Sequence, residues 1–363
     1  MIVGIMVLVV SVGFLWASVA YNRPIVLLVL MHNMSMYASS FVEEEHEFWF
    51  YMFAGVSIYL AIQQRRLPWI IIASCSRLLY MWNPKGIKYN HLNENMRHLL
   101  ANYPVSQTGL LVLSLAAINA HSLAVRRNNN VGHGLLIFCS IAICIYKLQQ
   151  DDATNVLASF LPWLSGTWLA RKIFVMLTIT ILADISCKKV SAGPWMLLMV
   201  LVARTHNAAV IGLLYLMTNA IASSKLHPTT TLSAVICLIH MAFFATGNTN
   251  TIATIDLTNS FIGFDEYSSV GSGILTFLST FCGPLSVLMA FLCESSALTG
   301  TQTLVSFLLF RVTAIANLSI VVTVLRHHLF IWSVFSPKYL YDLVWLTLAF
   351  ICIPISLFVL VSK

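Results

Sequence analysis

Charged side chains are scarce in this sequence. Only 9% of the 363 residues are Asp, Glu, Lys or Arg, whereas 59% are hydrophobic, and soluble domains average about 25% charged residues. This composition excludes a large soluble protein, whose surface would need more charge. The net charge of +7 does not indicate nucleic-acid binding, because basic residues of membrane proteins gather in cytoplasmic loops and at lipid headgroups. Since no stripe of Lys and Arg is interleaved with aromatics, we expect no nucleic-acid partner.

The common catalytic motifs are also missing. The sequence contains no G-x-S-x-G elbow, Walker loop, H-E-x-x-H pair or dinucleotide fingerprint. Its eight cysteines form no CxxC pair, which argues against a disulfide framework or a thiolate zinc site. We therefore expect no catalytic residue, metal site or cofactor in this chain.

The sequence contains long apolar runs with almost no charged residues. Residues 2–20 and 339–362 contain no basic residue and only one acidic residue, Asp342, and a helix needs about 20 apolar residues to cross a membrane. We interpret the first run as a span rather than a signal peptide, because it has no basic n-region. The sequence predicts an all-α, polytopic transmembrane helix bundle over residues 1–363, with about eleven spans and no sizeable soluble domain.

The hydropathy pattern gives twelve candidate segments for the predicted spans, of which about eleven are expected to cross the membrane. They lie near 2–20, 24–41, 48–62, 67–82, 104–122, 132–148, 161–185, 194–222, 230–246, 270–292, 302–325 and 340–361. Block 194–222 is interrupted by Arg204, His206 and Asn207, so a broken helix, two short helices and a loop between ordinary spans all remain open. We expect an interfacial helix late in the connector 83–103, and an extramembrane or re-entrant loop over 246–269.

The most acidic stretch is "SSFVEEEHEFWFY", residues 39–51. Ser40 and Glu43 match a capping box, and the aromatics that follow are typical of a membrane-interface belt. In a continuous helix Glu43 and Glu47 would also share one face. The same stretch suits a lipid-headgroup site or, less well, a divalent cation. Its candidate binding residues are Glu43, Glu44, Glu45, His46 and Trp49.

Cations gather near the other end of the chain. A cationic rim between the last two predicted spans suits a lipid phosphate, or ordinary snorkelling at the interface; it consists of Arg326, His327, His328 and Lys338. Arg311 lies inside an apolar run, where a charge costs at least about 2.5 kcal/mol and needs a partner or a polar cavity. We name Asp184 and Glu294 as its candidate partners, and both an ion pair and a lipid-phosphate site remain open.

Four stretches together resemble the C-terminal membrane region of the GPI ethanolamine phosphate transferases, most closely the type that modifies the second mannose. They are "SSFVEEEHEFWFY", "SRLLYMWNPKG", "GNTNTIATIDLTNSFIGFDEY" and "LFRVTAIANLSIVVTVLRHHLFIWSVFSPKYLYD". The resemblance runs from residue 39 to about 342. It implies a multi-pass protein of the endoplasmic-reticulum membrane with a small membrane partner subunit. It also implies an enzyme that transfers phosphoethanolamine from phosphatidylethanolamine to a mannose of the GPI precursor.

The catalytic part of that family is a lumenal, alkaline-phosphatase-like domain N-terminal to the spans, with a threonine nucleophile and two zinc ions. We expect this domain to be absent from the present chain, which would then be a fragment, a truncated gene product or a non-catalytic remnant. The resemblance implies that the membrane domain binds and presents both lipids, with carboxylates for the ammonium group and cations for the phosphates. A lipid transporter or channel, and a non-catalytic subunit that stabilises a partner, are the alternatives.

Overall fold

The computed structural model describes residues 25–83, 103–125, 130–150, 166–186, 191–224, 226–251, 255, 257–295 and 297–361. Within these ranges every regular element is a helix and no strand occurs, which confirms the all-α prediction. The predicted span 2–20 and the predicted interfacial helix of the connector 83–103 lie outside the described residues.

Fourteen α-helices are described. In chain order they are α1 (Ile25–Ser35), α2 (Ser39–Glu43), α3 (Glu45–Gln64), α4 (Leu67–Trp82), α5 (Pro104–Val125), α6 (Asn130–Gln150), α7 (Gly166–Ser186), α8 (Gly193–Val202), α9 (Ala208–Ala222), α10 (Pro228–Ala245), α11 (Ser269–Thr280), α12 (Cys282–Glu294), α13 (Ala297–Val324) and α14 (Leu329–Val361). Short 3₁₀ turns at Thr205–Asn207 and Thr258–Phe261 interrupt the connections.

Three of the described helices are long and apolar enough to cross a membrane by themselves. These stretches are Val105–Ala124, Gly132–Gln150 and Val305–Val324, and the bent pair α11–α12 adds a fourth if it counts as one span. Shorter apolar helices are Ile25–Ser35, Leu67–Trp82, Gly193–Val202 and Thr230–Ala245. The chain therefore has membrane-capable helices, and the count of about eleven spans stays a prediction.

Helices α8, α9, α10 and α12 form the centre of the molecule. Every residue of α12 from Cys282 to Cys293 is buried, and most of α8 is buried as well. Helix α12 packs against α8, α9 and α10. Because other helices cover α12 on all sides, its apolar sequence lies in the interior of the protein and not against lipid.

Helices α4 and α7 bury only one face. On α4 the buried side chains recur every three or four residues, whereas apolar side chains between them are exposed, namely Ile70, Ile71 and Leu78. Helix α7 repeats the pattern, with exposed Val175, Ile179 and Leu182. A helix with apolar residues on both its inner and outer face is typical of contact with lipid tails.

The predicted block 194–222 is interrupted where its polar residues lie. Helix α8 ends at Val202, and α9 begins at Ala208 after the 3₁₀ turn Thr205–Asn207. A second interruption was not predicted: α11 and α12 meet at an angle of 71° at Phe281, inside the predicted span 270–292. Within the described residues, the pair α11–α12 is therefore a bent helix pair, and a 3₁₀ turn separates α8 from α9.

The last helix begins earlier than the sequence predicts. Residues 329–339, which we expected to connect two spans, form the first third of the 33-residue helix α14. Phe335 packs there against Met36 and Val42 and against Leu318 and Val321 of α13. This apolar packing stabilises the first turns of α14, in a segment whose flanking Arg326, His327, His328 and Lys338 had suggested a connector.

Candidate functional site

Five titratable side chains from four helices form a continuous chain in the interior. Glu45 Oε1 of α3 lies 3.3 Å from His32 Nε2 of α1, and Glu45 Oε2 lies 2.6 Å from Lys338 Nζ of α14. Asp342 Oδ1 of α14 lies 3.2 Å from both Lys338 Nζ and Arg311 Nη1 of α13. All five side chains are at most 6% exposed. In this buried ion-pair chain two carboxylates balance Lys338 and Arg311.

Glu45 is the most heavily bonded member. Besides His32 and Lys338, it accepts hydrogen bonds from Trp49 Nε1 at 3.0 Å and from Asn250 Nδ2 at 2.5 Å. The helix break at Glu44 makes Glu45 the first residue of α3, where a carboxylate complements the helix dipole. Trp49 lies one turn later on the same face. The local backbone therefore directs Glu45 inward.

Aromatic rings surround the buried ion-pair chain. The imidazole of His240 is stacked between the rings of Trp49 and Trp345, with centroid distances of 4.1 and 5.1 Å. The Arg311 guanidinium lies 4.6 Å from the Trp345 ring and 5.1 Å from the Phe310 ring. Its Nε and Nη2 have no hydrogen-bond partner in the described part of the chain. Ring faces offer a cation partial compensation for such missing bonds.

Side chains of three helices hold the described part of the polar stretch 246–268, which lies between α10 and α11 and contains the 3₁₀ turn Thr258–Phe261. Whether this stretch, predicted over 246–269, is extramembrane or re-entrant stays a prediction. Near its start, Asn250 binds Glu45 and the Tyr341 hydroxyl donates to Thr251 O at 3.1 Å. Near its end, Arg171 of α7 donates to Gly263 O and to Asp265 Oδ2, both at 2.7 Å. The buried ion-pair chain thus fixes the loop as well as the helices.

A polar cavity lies at the base of this loop. Its volume is about 20 Å³, and its lining comes from the α8–α9 break, the end of α10 and the α11–α12 bend. A volume of this size holds about one water molecule. We call it the helix-break cavity. Its lining residues are Arg204, Asn207, Thr246, Gly247, Asn248, Ser279, Thr280 and Cys282.

The structure brings together four of the predicted site residues: Glu45, Trp49, Arg311 and Lys338. Glu43 is exposed and Glu44 is partly exposed. Glu43 ends α2 and Glu45 begins α3, so no continuous helix aligns Glu43 with Glu47. The acidic stretch is therefore divided into an exposed part and a buried part.

His46 points away from the buried ion-pair chain. Its Nε2 lies 3.8 Å from Glu47 Oε1, and its ring is stacked 6.5 Å from that of Tyr80. The Tyr80 hydroxyl donates to Glu47. This group links α3 to α4.

The four predicted rim cations do not lie together. Arg326, His327 and His328 are exposed in the turn between α13 and α14, where Arg326 Nε lies 3.1 Å from His327 Nε2. Lys338 is buried instead. The prediction of one rim was wrong, because α14 already begins at Leu329 and turns Lys338 toward Glu45 and Asp342.

Two further predictions were wrong. Ser40 lies inside α2, whose N-cap is Ala38 without a side-chain cap bond, so no capping box forms. Arg311 pairs with Asp342 rather than with Asp184 or Glu294. Asp184 accepts a hydrogen bond from Ser191 Oγ, and Glu294 lies 4.0 Å from His121 Nδ1.

Sequence reasoning missed His32, His240, Asn250 and Asp342 as members of this region. The isolated Asp342 in an apolar run was a signal for a partner, since a buried carboxylate needs a cation. The spacing Lys338–Asp342, one helical turn, pointed to an ion pair on one face. Within the described residues no three His, Cys, Asp or Glu side chains form a group that could hold a metal ion.

The family model and the relatives that match this chain all point to the same protein family. The model of the GPI ethanolamine phosphate transferase membrane region matches residues 1–363. GPI ethanolamine phosphate transferase 2 of Schizosaccharomyces pombe is 28% identical over 331 residues, which cover 89% of this chain and 41% of the relative. The protein of the same name from Aspergillus fumigatus is 30% identical over 327 residues, covering 88% and 39%.

The human relative, GPI ethanolamine phosphate transferase 2, catalytic subunit, is 28% identical over 314 residues, covering 76% of this chain and 31% of its own length. The chain thus spans about two fifths of the length of the two fungal relatives. No solved structure matches it. The family match over residues 1–363 confirms the resemblance inferred from the four stretches: this chain belongs to the family of GPI ethanolamine phosphate transferase membrane regions.

Proposed function

We propose that this chain binds and presents the lipid substrates of an enzyme that transfers phosphoethanolamine from phosphatidylethanolamine to a mannose of the GPI precursor. The observation that carries this proposal is the family match over all 363 residues. The relatives bear the name of a transferase, and the chain spans only part of their length. We propose that the nucleophile and the two zinc ions belong to a catalytic domain outside residues 1–363.

The location proposed for the protein is the endoplasmic-reticulum membrane, crossed several times, with a small membrane subunit as partner. Membrane-capable helices and outward-facing apolar side chains on α4 and α7 support a membrane location. The small partner subunit is proposed from the family resemblance.

The candidate lipid-binding residues fall into a buried group and an exposed group, and we assign a different role to each. Glu45, Lys338 and Arg311 are paired with one another and with Asp342. A headgroup that bound there would have to break buried ion pairs, each of which is costly to leave half-satisfied. We therefore assign these residues to holding the helices and the loop 246–268 in place.

The exposed residues are better placed to contact headgroups. Glu43 and Glu44 supply carboxylates for an ammonium group, and Arg326, His327 and His328 supply cations and donors for phosphate. Val42, beside Glu43, packs against Leu318, Val321 and Phe335 of the helices that flank Arg326. The two exposed groups therefore lie on adjoining elements, as a zwitterionic or phosphate-bearing headgroup requires.

A chimera tests the proposed function. Residues 1–363 replace the matching region of the Schizosaccharomyces pombe relative, in cells that lack the relative, and phosphoethanolamine on the GPI precursor is measured by mass spectrometry. We expect transfer to be restored. In the chimera, the double variant Glu43→Gln/Arg326→Gln should lower transfer without lowering protein amount.

Arg66→Gln is the matched control, because Arg66 is exposed beyond the far end of α3, and about 20 helical residues, roughly 30 Å, separate it from Glu45. A chimera that is present in the membrane at normal amount but transfers no phosphoethanolamine would contradict the proposal.

The bent pair α11–α12 and the interruption between α8 and α9 favour one alternative, a lipid transporter or channel, since broken helices often form binding sites in transporters. Purified protein in vesicles would then move fluorescent phospholipid between leaflets, and loss of this movement in Arg204→Gln would support the alternative. A third candidate, a non-catalytic subunit that stabilises a partner, predicts that the partner's amount falls when this chain is removed.

A further inference from the structure

The outer face of α7 changes in character toward the N-terminal end of the helix. Exposed side chains recur on this face every three or four residues, and they are apolar at Leu182, Ile179 and Val175. The next exposed positions include Lys172 and Trp168, and Lys172 Nζ lies 4.4 Å from the centre of the Trp168 ring. Lysine and tryptophan are typical of the level at which membrane hydrocarbon gives way to headgroups. We therefore expect this boundary at Trp168 and Lys172.

A loop segment, residues 257–270, is held against α7 at the same level. Arg171 of α7 donates through Nε to Gly263 O and through Nη2 to Asp265 Oδ2, each at 2.7 Å. Gly263 has a φ of 81°, a left-handed conformation that glycine adopts without strain. A Cβ atom added there would lie 3.5 Å from the side chain of Arg171 and 3.8 Å from that of Ala170. The segment therefore lies beside the boundary that α7 marks.

The outer side of this loop segment is apolar. Tyr267 and Val270 are 73% and 72% exposed, and Leu257 and Phe261 are exposed as well. The rings of Phe261 and Tyr267 lie 6.3 Å apart, so they form one patch. Ile262 is buried, so the segment carries apolar residues on its inner and its outer side. An exposed apolar patch marks contact with a membrane or with another protein.

Charged side chains of both signs border the patch. Asp265 is paired with Arg171, and Glu266 is exposed beside Tyr267. Together with Lys172, two cations and two carboxylates lie among the described residues of the segment and of the first turns of α7. This border has no net charge, and it offers a cation for phosphate and a carboxylate for ammonium, which suits a zwitterionic headgroup.

We infer that the segment 257–270 is an interfacial anchor, whose exposed apolar side chains contact phospholipids at the boundary between hydrocarbon and headgroups. Lipid is favoured over a protein partner because the patch continues into outward-facing apolar side chains of two helices. The outer face of α7 continues from Lys172 to Val175, and Val270 is followed one turn later by the exposed Ile274 of α11. Helix α11 belongs to the bent pair that counts as a candidate span. The anchor does not depend on the proposed function.

Photochemical crosslinking tests the anchor on the purified chain in nanodiscs of phosphatidylcholine. A p-benzoylphenylalanine residue is introduced by codon suppression in place of Tyr267, and under light it reacts with C–H bonds of molecules in contact with it. We expect phospholipid adducts on the peptide that carries position 267, identified by mass spectrometry. The same group in place of Ile179 is the reference for lipid contact. In place of Arg66, in the polar turn between α3 and α4, it should give much less adduct.

Three further variants keep the test decisive. The photoreactive group in place of Val270 provides an independent position if the variant at Tyr267 does not fold. Arg171→Ala removes the bonds that hold the segment on α7, so it should lower the adduct at position 267 but not the adduct at position 179. Arg66→Ala removes the same charge elsewhere and should change neither adduct. Folding of each variant is checked by its thermal transition and its elution volume.

The outcomes separate the anchor from other arrangements. Crosslinks between two copies of the chain in place of lipid adducts would identify a protein interface and overturn the anchor. Absence of any adduct at positions 267 and 270 in folded variants would place the segment in water and overturn it as well. In the chimera, a crosslink from position 267 to the rest of the Schizosaccharomyces pombe relative in place of lipid would do the same. Lipid adducts in a chimera that transfers no phosphoethanolamine would leave the anchor standing and contradict the proposed function.

Discussion

Glu43 and Glu45 are two residues apart, but their side chains differ in exposure and in hydrogen-bond partners. The Glu43 side chain is exposed, whereas Glu45 is 5% exposed and accepts hydrogen bonds from His32, Trp49, Asn250 and Lys338. Because a buried carboxylate depends on its partners, the two glutamates make different contributions to stability although their chemistry is identical.

The substitution Glu45→Gln should therefore destabilise the protein, by about 3 kcal/mol or more, because it leaves Lys338 without its closest counter-charge in the interior. The matched substitution Glu43→Gln should change the free energy of unfolding by less than about 0.5 kcal/mol, as is usual at an exposed position. Equilibrium unfolding in mixed micelles measures both. Equal effects of the two substitutions would contradict the buried ion-pair chain.

The sequence identified several of these residues but not their pairing. Arg311 and Lys338 stand out because a charge in or beside an apolar run must be compensated. The partner Asp342 could not be chosen over Asp184 or Glu294, since hydropathy places helices along the chain and says nothing about which helices are neighbours. His240 gave no signal at all: a single histidine in an apolar run looks the same whether or not tryptophans stack on it.

At the scale of helices, the contact between α10 and α12 is unusually close. A Cβ atom added at Gly283 would lie 2.5 Å from the carbonyl oxygen of Ala242, on a helix that is buried on every side. The obstructing atom belongs to the backbone, so it cannot move as a flexible side chain could. Glycine at this position therefore sets the distance between the two central helices.

Gly283→Ala should cost about 1–3 kcal/mol, the range for overpacking a well-filled core. Gly273 is the control, because it lies in α11 with no heavy atom within 4 Å of an added Cβ, and Gly273→Ala should stabilise the helix by about 0.5–1 kcal/mol. Thermal unfolding of the two variants in the same detergent gives the comparison. An unchanged Gly283→Ala variant would mean that α10 and α12 pack less closely than described.

Helix positions followed from hydropathy better than helix ends did. Helix α4 coincides with the predicted span 67–82, and the polar residues 204–207 marked the α8–α9 break. The bend at Phe281 was missed although Gly283 and Pro284 follow it. Proline has no backbone N–H and clashes with the preceding turn, so this pair was a signal for a break that hydropathy alone does not register. The start of α14 was also missed: residues 329–339 are helical, and their Phe335 lies in a buried apolar cluster with Leu318 and Val321 of α13.

For the whole molecule, the outer surface decides how the protein sits in a bilayer. Exposed apolar side chains cover the outer faces of α4 and α7, whereas Glu43, Arg326 and His327 are exposed at the ends of helices. In water such an apolar surface would promote aggregation, and in lipid it is the stable arrangement. The family assignment and the surface therefore agree on a membrane environment without fixing the number of spans.

Ile179, which is 56% exposed on α7, should accordingly face lipid tails. In membranes, Ile179→Cys should react with a lipophilic maleimide but not with a charged, membrane-impermeant one, because the hydrocarbon region excludes the charged reagent. Arg326 is exposed in the turn between α13 and α14, so Arg326→Cys is the control and should react with both reagents once the vesicles are made permeable.

The native cysteines contribute an equal background to both variants, so mass spectrometry of the labelled peptides compares only the introduced thiols. Rapid reaction of Ile179→Cys with the charged reagent would place the outer face of α7 in water and would contradict a lipid-facing bundle.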